Sequence, residues 1–89
     1  MSVLIEMADK LAADVLAAGI ELDDDRFYEK VSTVLMAASP TFQEAYITAI
    51  RIRLAERRGR EYMAKMLAAK RGEIPAETAP AVPVTGSGH

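Results

Sequence analysis

Apolar side chains return every three or four positions along most of this chain, the period of an α-helix and not of a strand. At about 100° per residue, Leu4, Met7, Ala8, Leu11, Val15 and Ala18 share one stripe. Ile5, Ala12 and Leu16 widen it, and Glu6, Asp9 and Lys10 lie opposite. This pattern predicts an amphipathic first helix over residues 2–18. Gly19 stands where a left-handed residue closes such a helix, with Ile20 as its hydrophobic cover.

Glu21-Leu22-Asp23-Asp24-Asp25 connects to a second helix, predicted over 25–38. Its inward face carries Phe27, Val31, Val34, Leu35 and Ala38, with Tyr28 at the edge and Met36 pointing away. Any of the three aspartates can cap it, because a carboxylate accepts from free N–H groups and suits the positive helix end. A calcium loop needs alternating oxygen ligands and a glycine at its sharp turn. Here the aspartates are consecutive and no glycine follows, so no metal is expected. Ser39-Pro40 ends the second helix and opens the third, Ser39 as N-cap and Pro40 at the first position, where no N–H is needed.

The third helix is predicted over 40–58, with Phe42, Ala45, Tyr46, Ile47, Ala49, Ile50 and Leu54 on one broad face. Arg53 interrupts that face. Either its methylenes lie on the core while the guanidinium reaches water or an aspartate, or the core stops near Ile50 and the remainder projects. Ile52 points away from the stripe. Farther on, Arg57, Arg58 and Arg60 surround Gly59, and a second apolar stripe follows: Tyr62, Met63, Met66 and Leu67. On one straight helix Tyr62 and Met66 would face roughly opposite to Tyr46 and Ile50. Gly59 therefore predicts a hinge and a fourth segment over 60–71, or else a single helix that buries its first half and offers its second half by another face. Gly72 ends the segment, with Lys70 and Arg71 placed to complement the negative helix end.

The expected fold is all-α, a small three- to four-helix bundle over residues 1–72. Residues 73–89 form a disordered Ala/Pro-rich tail, since Pro75, Pro80 and Pro83 remove backbone donors and nothing is periodic. Gly86-Ser87-Gly88-His89 has the composition of a linker entering an affinity tag.

Composition narrows the possibilities. Eighty-nine residues, 51% apolar and rich in alanine, allow one domain with a thin core. With no cysteine and one histidine, neither a disulfide nor a zinc site can staple it. Association with itself or another protein is the usual remedy at this size. The N-terminus lacks a basic region, and Glu6, Asp9 and Asp14 interrupt its apolar run. No secretory signal or membrane span is expected, and cytoplasmic residence is the default.

A net charge of −2 conceals an asymmetry. Residues 1–30 carry eight acids against Lys10, Arg26 and Lys30, whereas residues 51–71 carry eight bases against Glu56 and Glu61. Either one half folds back on the other, or each end addresses a different partner; head-to-tail pairing of identical copies uses the same asymmetry.

Catalysis is not expected. No nucleophilic cysteine exists, the one histidine is the last residue, and there is no Glu-x-x-His pair or glycine-rich phosphate loop. No cofactor or small-molecule substrate is implied. The tight Ser39-Pro40 joint suits a helix-turn-helix, yet Thr41, Phe42, Gln43 and Glu44 are poor readers of a DNA groove. The arginines lie at the far end, which leaves non-specific phosphate contact through residues 51–71 as the alternative function. The leading expectation is a non-enzymatic protein–protein interaction module: an adaptor, an inhibitor, or an assembly or structural subunit. Its docking residues are Arg53, Arg57, Arg58, Arg60, Tyr62, Met63, Met66 and Leu67, a basic amphipathic helix suited to an apolar groove with an acidic rim.

Overall fold

A computed structural model describes residues 2–75. They form three helices, α1 Val3–Glu21, α2 Phe27–Ala38 and α3 Pro40–Lys70, with no strand among the described residues. The all-α expectation holds. Two compact units divide the chain, Met1–Ala55 and Glu56–His89. The expected tail falls mostly on residues 76–89, outside the described residues.

In the first unit, α1 begins where Ser2 Oγ accepts from the Ile5 N–H at 3.4 Å. It runs past Gly19 to Glu21, so the predicted stop at Gly19 is corrected, and Ile20 is exposed rather than a cover. The left-handed residue is Asp23, with φ of 55°. The Asp24 N–H bonds the Gly19 carbonyl at 2.9 Å and the Asp23 N–H bonds that of Ile20 at 3.1 Å, the paired bonds of a Schellman closure. Aspartate tolerates this conformation better than most side chains do. Gly19 serves a different need: an added Cβ would stand 2.9 Å from the Asp24 carbonyl oxygen. The backbone can fold back tightly only because that position is bare.

None of the aspartates caps α2 in the expected manner, since its N-cap is Arg26, with no side-chain cap bond. Asp24 instead shapes the turn. Its Oδ1 accepts from the Arg26 N–H at 3.1 Å and its Oδ2 pairs with Lys30 Nζ at 2.7 Å. The Ser39-Pro40 joint is as expected, with Ser39 Oγ accepting from the Phe42 N–H at 3.2 Å and Pro40 opening α3. Gln43 Nε2 braces the corner by donating to Ser32 Oγ at 2.8 Å.

The core of this unit is small. Ala8, Ala12 and Val15 of α1 are buried with Tyr46 and Ile50 of α3. Leu11, Phe27, Tyr28, Val31, Leu35 and Phe42 pack around them, half-buried. Predicted core positions on both α1 and α2 are corrected. Met7 is exposed because the packed stripe of α1 centres on Ala8, Ala12 and Val15. Val34 and Ala38 are exposed because α2 packs through Tyr28, Val31 and Leu35. Tyr46 is fully buried, and its hydroxyl donates to the Tyr28 carbonyl at 2.9 Å. Burial, with a smaller push from the nearby Tyr28, raises its pKa from 10.0 to about 12.

The second unit is described from Glu56 to Pro75 and holds the remainder of α3. The break expected at Gly59 is absent, and the segments predicted over 40–58 and 60–71 are one helix. Glycine costs a helix interior only about 1 kcal/mol, and strong helix formers (Arg57, Arg58, Arg60 and Glu61) surround this one. Gly72 ends α3 as predicted, with φ of 80°. The Glu73 N–H reaches the Ala68 carbonyl at 2.9 Å and that of Gly72 reaches Ala69 at 3.1 Å.

Two glycine substitutions should therefore act in opposite directions. Gly19→Ala is expected to destabilise by about 1–3 kcal/mol, because the new methyl group meets backbone. Gly59→Ala meets nothing within 4 Å and should stabilise by about 0.5–1 kcal/mol; urea unfolding reads both. Tyr46→Phe should cost about 1 kcal/mol for the lost hydrogen bond. The raised tyrosine pKa gives stability that is whole below 10.0 and falls as pH climbs toward about 12. That alkaline decline should be shallower in Tyr46→Phe.

Candidate functional site

The expected docking residues separate by direction once α3 is seen as one helix. Arg53 turns to α1: its Nε donates to Asp9 Oδ1 and its Nη2 to Asp9 Oδ2, both at 2.9 Å. This two-bond fork is the strong geometry for a guanidinium on a carboxylate. Arg53 is half-buried and Asp9 exposed, so the ion pair ties α3 to α1 at the solvent boundary of the first unit. The break in the apolar face thus has a structural cause. The half-buried Arg53 has its charge matched by Asp9 of α1. The Arg53 guanidinium, chiefly by hydrogen bonding, holds the Asp9 carboxyl below its usual range.

Among the described residues of the second unit, the large apolar side chains are exposed or half-buried and none is fully buried. Met63, Met66 and Leu67 are 52%, 41% and 42% exposed, and Tyr62 is half-buried. At about 100° per residue these four fan across about 140° of the helix surface. Arg58 and Lys65 line one margin and Arg60 the other, all exposed. Arg60 also pairs with Glu56 one turn earlier. Arg57 lies on the far side of the helix from Tyr62 and does not flank the stripe. The sequence reading missed Gly59 and Ala69 as members of this surface. Gly59, Tyr62, Met66 and Ala69 are spaced by three, four and three residues, the interval of a helix–helix seam. That spacing was available, but the glycine drew attention as a breaker.

An amphipathic strip of this kind can cover an apolar surface and set its margins against carboxylates or phosphates. Among the described residues no three of His, Cys, Asp and Glu gather where they could hold a metal ion. No helix among them is long and apolar enough to cross a membrane. The chain matches no protein-family model, no curated protein and no solved structure.

The Asp9–Arg53 pair predicts an acid response. A carboxyl whose folded pKa lies below its ordinary 3.8 contributes stability that is present above that value and lost as pH falls through the folded one. Asp24, held low by Lys30 and by the Arg26 N–H, acts in the same direction. In urea unfolding followed below about pH 5, Arg53→Ala should lose less stability with acidification than the wild type. Equal slopes would show that the pair does not hold in solution.

Proposed function

We propose that this protein is a non-enzymatic interaction module that docks on another protein through the part of α3 beyond Gly59. One observation carries the proposal: Tyr62, Met63, Met66 and Leu67 form a strip between basic margins, with the last three exposed to solvent and Tyr62 half-buried. Methionines suit an adaptable contact because their thioether chains are flexible and polarizable. Arginine and tyrosine are the residue types most enriched where binding energy concentrates. The complementary surface is an apolar groove with acidic edges. An adaptor, an inhibitor of a larger enzyme and an assembly subunit all fit this chemistry. Cytoplasmic residence belongs to the same proposal.

A second reading rests on the eight bases of residues 51–71, which could grip nucleic-acid phosphates without reading bases. The two readings differ in salt response. Binding through phosphates should weaken about a thousandfold or more as salt rises from about 50 to about 200 mM. Docking through Tyr62 and Met66 should change far less. Co-purification from the native host, with half the sample treated with nuclease, separates them directly. Met66→Asp should weaken protein capture at least tenfold while circular dichroism retains the wild-type helicity. If the variant unfolds instead, Met66 belongs to a core and the docking proposal fails.

A further inference from the structure

The proposed docking surface gains a definite occupant when charges already matched are set apart from those left over. In the first unit Asp9, Asp14, Asp24 and Glu29 pair with Arg53, Lys10, Lys30 and Arg26. Among the described residues Glu6, Glu21, Asp23, Asp25 and Glu44 have no such ion-pair partner against one such base, Arg51, and in the second unit Arg57, Arg58, Lys65, Lys70 and Arg71 have none against Glu61 and Glu73. The surplus is acidic in one unit and basic in the other. Each also carries exposed apolar groups, Val3 and Met7 on α1 and Met63 and Met66 on α3.

We infer that the partner of the α3 strip is a second copy of this chain, and that the strip lies along the outer face of that copy's α1. The inference rests on the docking reading above. Spacing supports it. On α1, Asp14 and Glu21 are exposed and seven residues apart, on the same outward side as Val3, Met7 and Lys10. The Lys10–Asp14 pair, at 3.6 Å and open to solvent, is weak enough for a second cation to share the carboxylate. On α3, Arg58 and Lys65 are also exposed and seven residues apart. Both intervals are about 10.5 Å along a helix, so two cations can meet two carboxylates at once. Between the carboxylates lie Ala17 and Ala18, and between the cations lies Tyr62. A large side chain thus faces a shallow of small ones, the fit that lets two helices approach. Gly59 extends the opportunity, since the space where its Cβ would be is empty. Lengths agree as well. The helical residues 56–70 span about 22 Å and the nineteen of α1 about 28 Å. Pairing α3 strips with each other is disfavoured, because residues 56–71 carry six bases against Glu56 and Glu61.

Sedimentation of the nuclease-treated full chain tests this, at low and high salt and up to its solubility limit. The expected result is reversible self-association that weakens with salt. Arg58→Glu with Lys65→Glu should weaken it at least tenfold, and so should Asp14→Lys with Glu21→Lys. All four positions are exposed, so circular dichroism should show wild-type helicity in both variants. Mixing the two variants should restore a complex that neither forms alone, because reversed cations then face reversed carboxylates. A monomeric wild type, association indifferent to either double reversal, or a mixture that stays monomeric would each overturn the inference. Met66→Asp distinguishes the two failures. A monomer that still captures another protein through Met66 sinks self-pairing and leaves the docking reading standing. Self-association unaffected by Met66→Asp runs through another surface and removes support from both.

Discussion

Room for a tyrosine decides how the first unit can be built. Ala8 and Ala12 leave a shallow on α1 into which Tyr46 and Ile50 of α3 fit, with Val15 beside them, and these five side chains are the buried core. Interiors pack at crystal-like density, so this arrangement tolerates neither a bulkier residue on α1 nor a smaller one on α3. The Tyr46 hydroxyl would be costly there without a partner. It has one in the Tyr28 carbonyl, which also ties α3 to α2. Other contacts of the unit refine this arrangement. The Asp9–Arg53 fork guards one edge, the Gln43–Ser32 bond braces the corner, and bare Gly19 admits the turn from α1 to α2.

Much of this was legible in the chain. The helical period located all three helices, and Ser39-Pro40 placed the α2–α3 joint correctly because cap chemistry is local. Boundaries set by backbone geometry were harder to place. Asp23, not Gly19, adopts the left-handed turn, since a glycine can be required either for its φ or for its lack of bulk, and sequence does not separate the two. Met7 and Val34 entered the predicted core because their stripes were wider than the packed surface proved to be. With only five buried side chains among the described residues, apolar residues at a stripe's margin stay wet. At Gly59 the sequence left a hinge and a continuous helix both open, and the helix is continuous, because one poor helix former among several good ones changes little.

The candidate surface was legible in part. Tyr62, Met63, Met66 and Leu67 stood out because their phase differs from that of Tyr46 and Ile50, and in the second unit Met63, Met66 and Leu67 are exposed beside a half-buried Tyr62. Arg53 was grouped with them by its place in a run of arginines. Its partner, Asp9, lies forty-four positions earlier, and periodicity along one helix carries no information about that distance. A mismatch in the apolar pattern thus had two sources, an ion pair within the first unit and a separate apolar strip within the second. Only coordinates could separate them.

The five buried side chains all fall within the first fifty-five residues, which separates two kinds of evolutionary pressure. Drift at positions 8, 12, 46 or 50 is policed by packing, whoever the protein meets. Positions 62, 63, 66 and 67 lie outside that interior, so on the docking proposal those four letters would, in diverging lineages, record the history of the neighbour and not of the fold.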